Sequence, residues 1–331
     1  MSMMINPFVF KPQGQTLTAD PGTFTVTGND VTFKRSLRMS AEPGVFGLTG
    51  NDAALSTGIR MTAEPGAFAL TSGEVSFKRS LRMSAATGAF ALTGNAATLT
   101  YAQNDPNFSS VVLLCGFDGV DGATSSVDDS NSAHTLTFAG GSEIDTAQSK
   151  FGGSSLALDG SGDRVSVAAS TDWNFGSSPF TIELFVRFNT LTSTSRSVIG
   201  SGGTSTVSFV MNVNSGLSDF AFAFSTNGGS SFNQVITSSG VTPATGQWYH
   251  LCVDRDGSNK FRLYVDGVMR GSLTTASAVN YESTALAIGA TNDSGSEDMS
   301  GWLDEVRITK GVARYASDSG FTVPTAAYPR S

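Results

Sequence analysis

The sequence predicts an all-β protein in two parts, a region of short β-repeats followed by an antiparallel sandwich. Three observations predict it. Charged residues make up only 15% of the chain while Gly counts 37 and Phe 23, a balance that suits many short strands joined by tight turns. Residues 17–102 repeat themselves at a fixed step of 22. Beyond residue 108 short apolar runs with period-two alternation follow one another, separated by Gly, Ser, Asn and Asp, and no long amphipathic helical period appears.

Residues 1–16 read as an N-terminal arm. The stretch MSMMINPFVFKPQG lacks the basic start and long apolar core of a signal peptide, so synthesis in a cytoplasm is the expectation. No run approaches the roughly 20 apolar residues of a membrane-spanning helix.

Residues 17–102 form four units. Phe24, Phe46, Phe68 and Phe90 keep the 22-residue step, as do Gly22, Gly44, Gly66 and Gly88, and Ala19, Ala41, Ala63 and Ala85. Chance does not hold so many registers. A longer period overlies this one, because Phe33-Lys34-Arg35-Ser36 recurs as Phe77-Lys78-Arg79-Ser80. Each unit reads as two strands. One face of a continuous strand would carry Ala53, Leu55, Thr57, Ile59, Met61 and Ala63; the Glu64-Pro65-Gly66 turn follows, and a short strand places Phe68 and Leu70 inward. The expected arrangement is a β-meander or a rod of stacked hairpins. Arg38, Arg60 and Arg82 form a row on the polar face, either a solvated strand face or a partner-docking stripe. Few residues per unit are large, so the rod is expected to need docking or self-association, as a homo-oligomer such as a trimer. With its LTGN and LTGND closing turns, this region resembles repeats at the start of tailed-phage virion proteins.

Residues 103–107 read as a linker broken by Pro106, and residues 108–331 as the second domain. Its strands are expected at VVLLCGF (111–117), HTLTF (134–138), SSLALD (154–159), DRVSVA (163–168) and FTIELFVRF (180–188). RSVIG (196–200), VSFVMNV (207–213), DFAFAF (219–224) and FNQVIT (232–237) follow, the last two as a hairpin with an Asn-Gly tip. Ile182, Leu184 and Val186 are expected to oppose Phe185 and Phe188 on a central strand. The clearest segment is WYHLCVDRDGSNKFRLYVDG (248–267). Leu251 and Val253 share one side of a strand, with Trp248, His250, Cys252 and Asp254 on the other; Asp256-Gly257 turns the chain; Phe261, Leu263 and Val265 share a face of the next strand. LAIGA (286–290) and WLDEVRIT (302–309) close the series. Cys115 and Cys252 sit in apolar strand patterns and read as two buried free thiols.

Four segments of this domain resemble the laminin-G-like, concanavalin A-like jelly-roll superfamily in the right order: FGGSSLALDGSGDRVSV (151–167), DWNFGSSPFTIELFVRF (172–188), the 248–267 stretch, and GWLDEVRITKGVARY (301–315). The resemblance implies two packed antiparallel sheets of jelly-roll type, and it identifies a fold rather than a ligand. It places Trp173, Trp248 and Trp302 in framework positions.

Net charge is −8 and uneven. Residues 1–105 hold eight Lys/Arg against seven Asp/Glu, and residues 106–331 hold twelve against twenty-one. So acidic a domain is a poor nucleic-acid binder, because phosphate contact needs a basic face. Catalysis finds no support. Glucanases of this superfamily carry clustered acids on one strand, and no E-x-D-x-x-E or E-x-D-x-E run exists here. Asp304 and Glu305 are adjacent, which on a regular strand sends them to opposite faces; Glu183 falls at a structural family position. The available histidines are His134 and His250, and there is no G-x-S-x-G elbow. The resemblance implies calcium as a possible cofactor, with Asp118, Asp128 and Asp304 as the oxygen ligands. Loop residues Phe232, Tyr281, Asn292 and Asp293, with Tyr315 beside them, are the candidates for binding glycan.

The sequence therefore leads to a non-enzymatic structural protein of a virion, capsid-decorating or tail-associated, made in the host cytoplasm and exposed on the particle. Its first 102 residues would dock other virion proteins, and its jelly roll would meet cell-surface glycans. The alternatives are a purely structural, shell-stabilising decoration without ligand, and a bacterial surface adhesin or glycan-cleaving enzyme.

Overall fold

The computed structural model describes the backbone of ten strands between Gln15 and Thr98, and residues 105–331 apart from 192–195, 204, 217 and 292–296. The chain divides into two compact units, residues 1–103 and 104–330.

The first unit holds β1 (Gln15–Ala19), β2 (Thr23–Thr27), β3 (Asp30–Lys34), β4 (Leu37–Ala41), β5 (Val45–Ser56), β6 (Arg60–Ala63), β7 (Ala67–Lys78), β8 (Arg82–Ala85), β9 (Ala89–Thr93) and β10 (Ala96–Thr98). Every pairing among them is parallel. Phe24 pairs with Phe46, Phe46 with Phe68, and Phe68 with Phe90. Met39 pairs with Met61, and Met61 with Met83. Each residue thus lies beside its equivalent one repeat on, in two sheets ordered β1-β4-β6-β8 and β10-β7-β5-β2, with β3 joined to β5 and β9 to β7. This overturns the meander or stacked-hairpin rod, whose strands would pair antiparallel with their sequence neighbours. Two strand segments per 22 residues were legible, but hairpin pairing puts Phe46 in register with an unrelated residue, whereas parallel pairing puts Phe in register with Phe from one repeat to the next. The continuous strand expected over residues 53–63 is divided between β5 and β6.

The second unit contains β11 (Val111–Cys115), β12 (Leu136–Ala139), β13 (Glu143–Asp145), β14 (Ser155–Asp159), β15 (Arg164–Val167), β16 (Phe180–Thr190), β17 (Arg196–Gly202), β18 (Val207–Val213), β19 (Phe220–Phe224), β20 (Gln234–Thr237), β21 (Trp248–Arg255), β22 (Lys260–Val265), β23 (Val268–Thr274), β24 (Leu286–Ile288) and β25 (Ser300–Lys310). All pair antiparallel. One sheet runs β13-β14-β25-β16-β21-β22-β23, with β11 also on β25; the other runs β12-β15-β24-β17-β18-β19-β20. The two pack face to face as a sandwich of jelly-roll type. Strands β13 and β23 were not read from the sequence: the first is only three residues long, and the second is mostly polar and half-exposed.

The core lies between the sheets. Ile182, Leu184, Val186, Leu251, Val253, Leu263 and Ile308 from one sheet meet Val165, Ile199, Phe209, Met211, Phe222 and Ile288 from the other, all fully buried. Aromatic rings line the gap: Phe224 crosses it to stack on Phe261 at 4.8 Å, and Phe175, from the segment before β16, stacks on Phe180 at 4.3 Å. Such burial is the main stabilising term, about 25 cal/mol for each Å² of apolar surface. Phe188 lies in this core with Ile182 rather than opposite it; only Phe185 faces the outside of the sheet. Cys115 and Cys252 are free and buried. Among the described residues no helix is long and apolar enough to cross a membrane.

Parallel stacking at a 22-residue step makes one coil a removable unit. Deleting residues 45–66 is expected to leave circular dichroism and thermal melting of the repeat region cooperative, while deleting residues 45–55 abolishes its transition. Equal tolerance of both deletions would contradict the register.

Candidate functional site

The polar residues of the sandwich separate into a buried ionic cluster on the outer face of one sheet and a set of loops at one end of the other. They do different things.

The outer face of β16, β21 and β25 carries Glu183, His250 and Arg307. Strand alternation places them there, since their neighbours Ile182, Leu251 and Ile308 fill the core. Glu183 is fully buried. It accepts hydrogen bonds from Arg307 Nε at 2.9 Å and from the Tyr315 hydroxyl at 2.7 Å, and His250 Nε2 lies 3.4 Å away. Burial alone would raise its pKa; the Arg307 charge and the bonds from His250 and Tyr315 outweigh this and hold the carboxyl well below its usual range. Arg307 also reaches Asp105 at 3.3 Å, and Arg314 grips the same carboxylate with two nitrogens at 3.0 and 2.6 Å. Asp105, expected in a linker, is therefore a fixed and buried member of the domain. The C-terminal segment 311–330 closes the cluster from outside. Tyr328 bonds His250 at 2.9 Å, lies under the Arg307 guanidinium at 3.8 Å, and Tyr315 stacks on Phe321 at 3.5 Å. Tyr315 is thus spent on the fold and leaves the set of glycan candidates.

A β-bulge adjoins the cluster. Between Glu183 and Phe185 on β16, β25 runs from Arg307 to Asp304, three steps against two, and Glu305 adopts φ +50. The extra residue breaks alternation. Asp304 and Glu305 were expected on opposite faces; both instead face outward. Glu305 accepts from the Tyr328 backbone N–H at 2.8 Å and from Arg330 at 2.8 Å, and Asp304 accepts from the backbone N–H groups of Lys150 and Phe151 at 2.7 and 3.0 Å. Burial raises Asp304 to about 7 against those two bonds, with the nearby charges of Glu305 and Asp118 adding to the rise. Burial likewise raises Asp254 to about 6, opposed by the Ala316 N–H and Arg262.

The calcium ligand set does not assemble. Asp128 spends both oxygens on the backbone N–H groups of Leu114, Ser130 and His134, at 2.9, 2.9 and 2.8 Å. Arg330 brings a positive charge among Asp118, Asp129 and Glu305, at 3.8, 2.9 and 2.8 Å. Among the described residues no group of three or more His, Cys, Asp or Glu is placed to hold a metal. Asp128 thus folds its own loop, Asp118 pairs with Arg330, and Asp304 holds the Lys150–Phe151 backbone.

The glycan candidates fare differently. Phe232 lies in the β19–β20 loop and Tyr281 in the segment between β23 and β24, far apart in sequence. The Asn280 backbone N–H donates to the Ser225 carbonyl at 2.8 Å, joining the two loops, and the Val279 N–H donates to Gly176 at 2.9 Å. The Asn280 side chain donates to Glu282 Oε1. Gly228 adopts φ +70 and lies beside the Asn280 and Glu282 side-chain ends. The positive φ favours glycine there. The Ser225 hydroxyl accepts from the Gly228 N–H at 3.0 Å, and Asn233 closes the loop through Thr226 at 3.0 and 2.8 Å. Both Phe232 and Tyr281 are half-buried, with Tyr281 braced against the main core. The joined loops carry two aromatic residues, three amides and one carboxylate, residue types able to stack on and hydrogen-bond a polyol. Asn227, Asn280 and Glu282 were missed in the sequence, where Asn227 read only as the hairpin tip. Asn292 and Asp293 lie outside the described residues. Of the three tryptophans only Trp173 is fully buried; Trp302 is half-buried and donates to Asp145 at 2.7 Å.

Residues 159–315 match a laminin-G family model described as the concanavalin A-like lectin/glucanases superfamily. Over these residues the chain is similar to that superfamily. Among solved structures, the domain is similar in outline to the binding domain of Paraclostridial Mosquitocidal Protein 1, at 14% identity and a TM-score of 0.49, over 62% of this chain and 50% of that one. It is similar also to the botulinum neurotoxin serotype C1 binding domain, at 14% identity and a TM-score of 0.46, over 62% and 50% of the two chains. The chain thus spans about half the length of these solved structures. No curated protein matches the chain.

Removing Arg307 would leave Glu183 buried without its main countercharge, so Arg307→Ala is expected to cost about 3–5 kcal/mol in chemical denaturation. The pH dependence of stability has two opposed parts. Asp304 and Asp254 have raised folded-state pKa values, so their contribution is full below the unfolded value and is lost as pH rises through about 6 and about 7. Glu183 and Asp105 are depressed, so theirs is present above the unfolded value and lost as pH falls below it. Melting temperature is expected to rise as pH falls from 8 to 5 and to drop below about pH 4. In Asp304→Asn the rise between pH 8 and 5 should shrink.

Proposed function

We propose that the protein is a non-enzymatic display protein whose concanavalin A-like domain binds carbohydrate at the joined 225–233 and 279–284 loops. The observation that carries this reading is the backbone hydrogen bond from Asn280 to Ser225, which joins the loop bearing Phe232 to the one bearing Tyr281 and the Asn280–Glu282 pair. The lectin-like fold of the segment supports it. The acids that could serve glycoside hydrolysis are engaged elsewhere, with Glu183 held by Arg307 and Asp304 by two backbone amides.

The setting we propose is a virion surface, on the capsid or tail, with the repeat region docking the protein to other virion components. The resemblance of the repeats to those of tailed-phage virion proteins supports that setting. A particle carrying many copies would convert weak single-site binding into firm attachment to cell-surface glycans, because linked sites raise avidity without new contacts.

The test is binding of the full chain, coupled at high density to beads, to a panel of bacterial surface polysaccharides. A hydrogen bond to a charged group contributes about 1.5–3 kcal/mol, so Glu282→Gln is expected to weaken single-site binding about tenfold or more. Phe232→Ala should weaken it comparably, with melting temperature unchanged in both variants. Failure of the dense beads to bind any polysaccharide would overturn the carbohydrate reading, and unchanged binding by both variants would move the site away from these loops.

A further inference from the structure

One outward row of the sheet that carries Glu183 is left partly open. In it Arg187 of β16 pairs with Trp248 of β21 on one side and with Trp302 of β25 on the other. Past Trp302 the row continues to Ala157 of β14 and ends at Glu143 of β13. Alternation turns these residues away from the core, because their neighbours Val186, Tyr249, Leu303, Leu156 and Ile144 fill it. Trp248, Arg187 and Trp302 are each half-buried, unlike Phe185 and His250 one row further in, which Tyr328 seals. Phe185 and Arg187 are successive outward residues of β16, about 7 Å apart along the strand. Lys150 Nζ lies 5.2 Å from the Phe185 ring and 5.8 Å from the Phe151 ring, so it brings a second cation beside the row.

Neither cation is neutralised. Among the described residues Arg187 and Lys150 form no ion pair, whereas Arg262, Arg307, Arg314 and Arg330 each hold a carboxylate. Arg187 Nη1 donates to the Gly246 carbonyl, and the guanidinium lies 6.0 Å from the Trp302 ring. Arg187 Nε is buried without a hydrogen-bond partner, and a buried donor lacking an acceptor is destabilising. A carboxylate seated against the guanidinium supplies that acceptor. The indoles supply apolar faces on either side. They start two strand spacings apart, about 10 Å, and Trp302 is fixed by its bond to Asp145 at 2.7 Å. We infer that this row is a second carbohydrate site, taking a linear polysaccharide of acidic sugars: sugar rings stack on Trp248 and Trp302, and a uronate carboxylate meets Arg187 and Lys150. A nucleic acid fits less well. It carries a phosphate on every nucleotide, against two cations in a domain with twelve Lys/Arg and twenty-one Asp/Glu, and Glu143 at the end of the row repels so dense a polyanion. The row shares no residue with the 225–233 and 279–284 loops, so either site can fail without the other.

The full chain is titrated at low salt with polygalacturonate, alginate and hyaluronate, each beside its methyl ester, and read by tryptophan emission. At least one acidic polymer is expected to shift the emission, because Trp248 and Trp302 are half-buried while Trp173 is enclosed. Esterification, Arg187→Gln and Lys150→Ala should each weaken binding about tenfold, and added salt should weaken it further. Trp302→Ala should remove most of the emission change, and Glu282→Gln should leave affinity as it was. Melting temperature identifies any variant that fails to fold; Lys150→Ala, whose ammonium contacts only ring faces, keeps the test intact if Arg187→Gln does. Silence with all three polymers would sink the inference, as would equal binding of acid and ester or unchanged affinity in both folded cation variants. Loss of binding in Glu282→Gln alone would assign acidic polymers to the loops instead.

Discussion

The sandwich depends on how it covers the outer face of its central strands. A sheet buried on one side could leave the other to water. Here β16, β21 and β25 are buried on both, and the outer face carries ionisable groups. Burying Glu183 there is tolerable only because Arg307, Tyr315 and His250 surround it. Those partners need a cover, which segments 105–111 and 311–330 provide. Asp105 ties the entry of the domain to Arg307 and Arg314, while Tyr328 and Arg330 tie its exit to His250 and Glu305. The two ends of the domain are thereby fixed to one ionic cluster. The same requirement explains the bulge: without the extra residue at Glu305, one of the two adjacent acids would point into the apolar core.

What the sequence made legible followed from local period. Alternation in Leu251, Val253, Phe261, Leu263 and Val265 assigned core positions, and all five are fully or almost fully buried. The Asn-Gly tip located the β19–β20 hairpin. Alternation failed where geometry departs from a regular strand. It put Asp304 and Glu305 on opposite faces because a bulge leaves no mark in composition. It made Asp105 a linker residue because its partners, Arg307 and Arg314, lie some 200 positions away. The candidate site was half legible for the same reason. Phe232 and Tyr281 stood out as loop aromatics, but the backbone bond from Asn280 to Ser225 that makes one rim of two loops is a tertiary fact.

The repeats show a different limit. A fixed 22-residue step states that equivalent residues have equivalent surroundings, and stacked hairpins and parallel coils both satisfy it over the interior. They differ in what lies beside Phe46. Hairpins offer a neighbour from the same unit, whereas parallel coils offer Phe24 and Phe68. Short side chains in the remaining positions favour neither, since both arrangements need small residues where strands approach. The arginine row follows only from the parallel register: in a hairpin stack, Arg38 would not lie beside Arg60.

Ionic groups serve two separate ends in this chain. In the sandwich each charge is enclosed by specific partners, and its loss leaves a buried charge behind. Substitution there is read out as stability. On the joined loops Asn280 is fixed by its backbone bond to Ser225, and neither Asn280 nor Glu282 bonds to the Glu183 cluster, so their chemistry can change without disturbing the cover of β16 and β25. A fold that fixes its termini through one sheet and presents loops from the other leaves those loops free to differ in ligand while the architecture stays constant. That division is the physical reason the sandwich framework was readable from strand patterns, whereas the joining of the two loops was not.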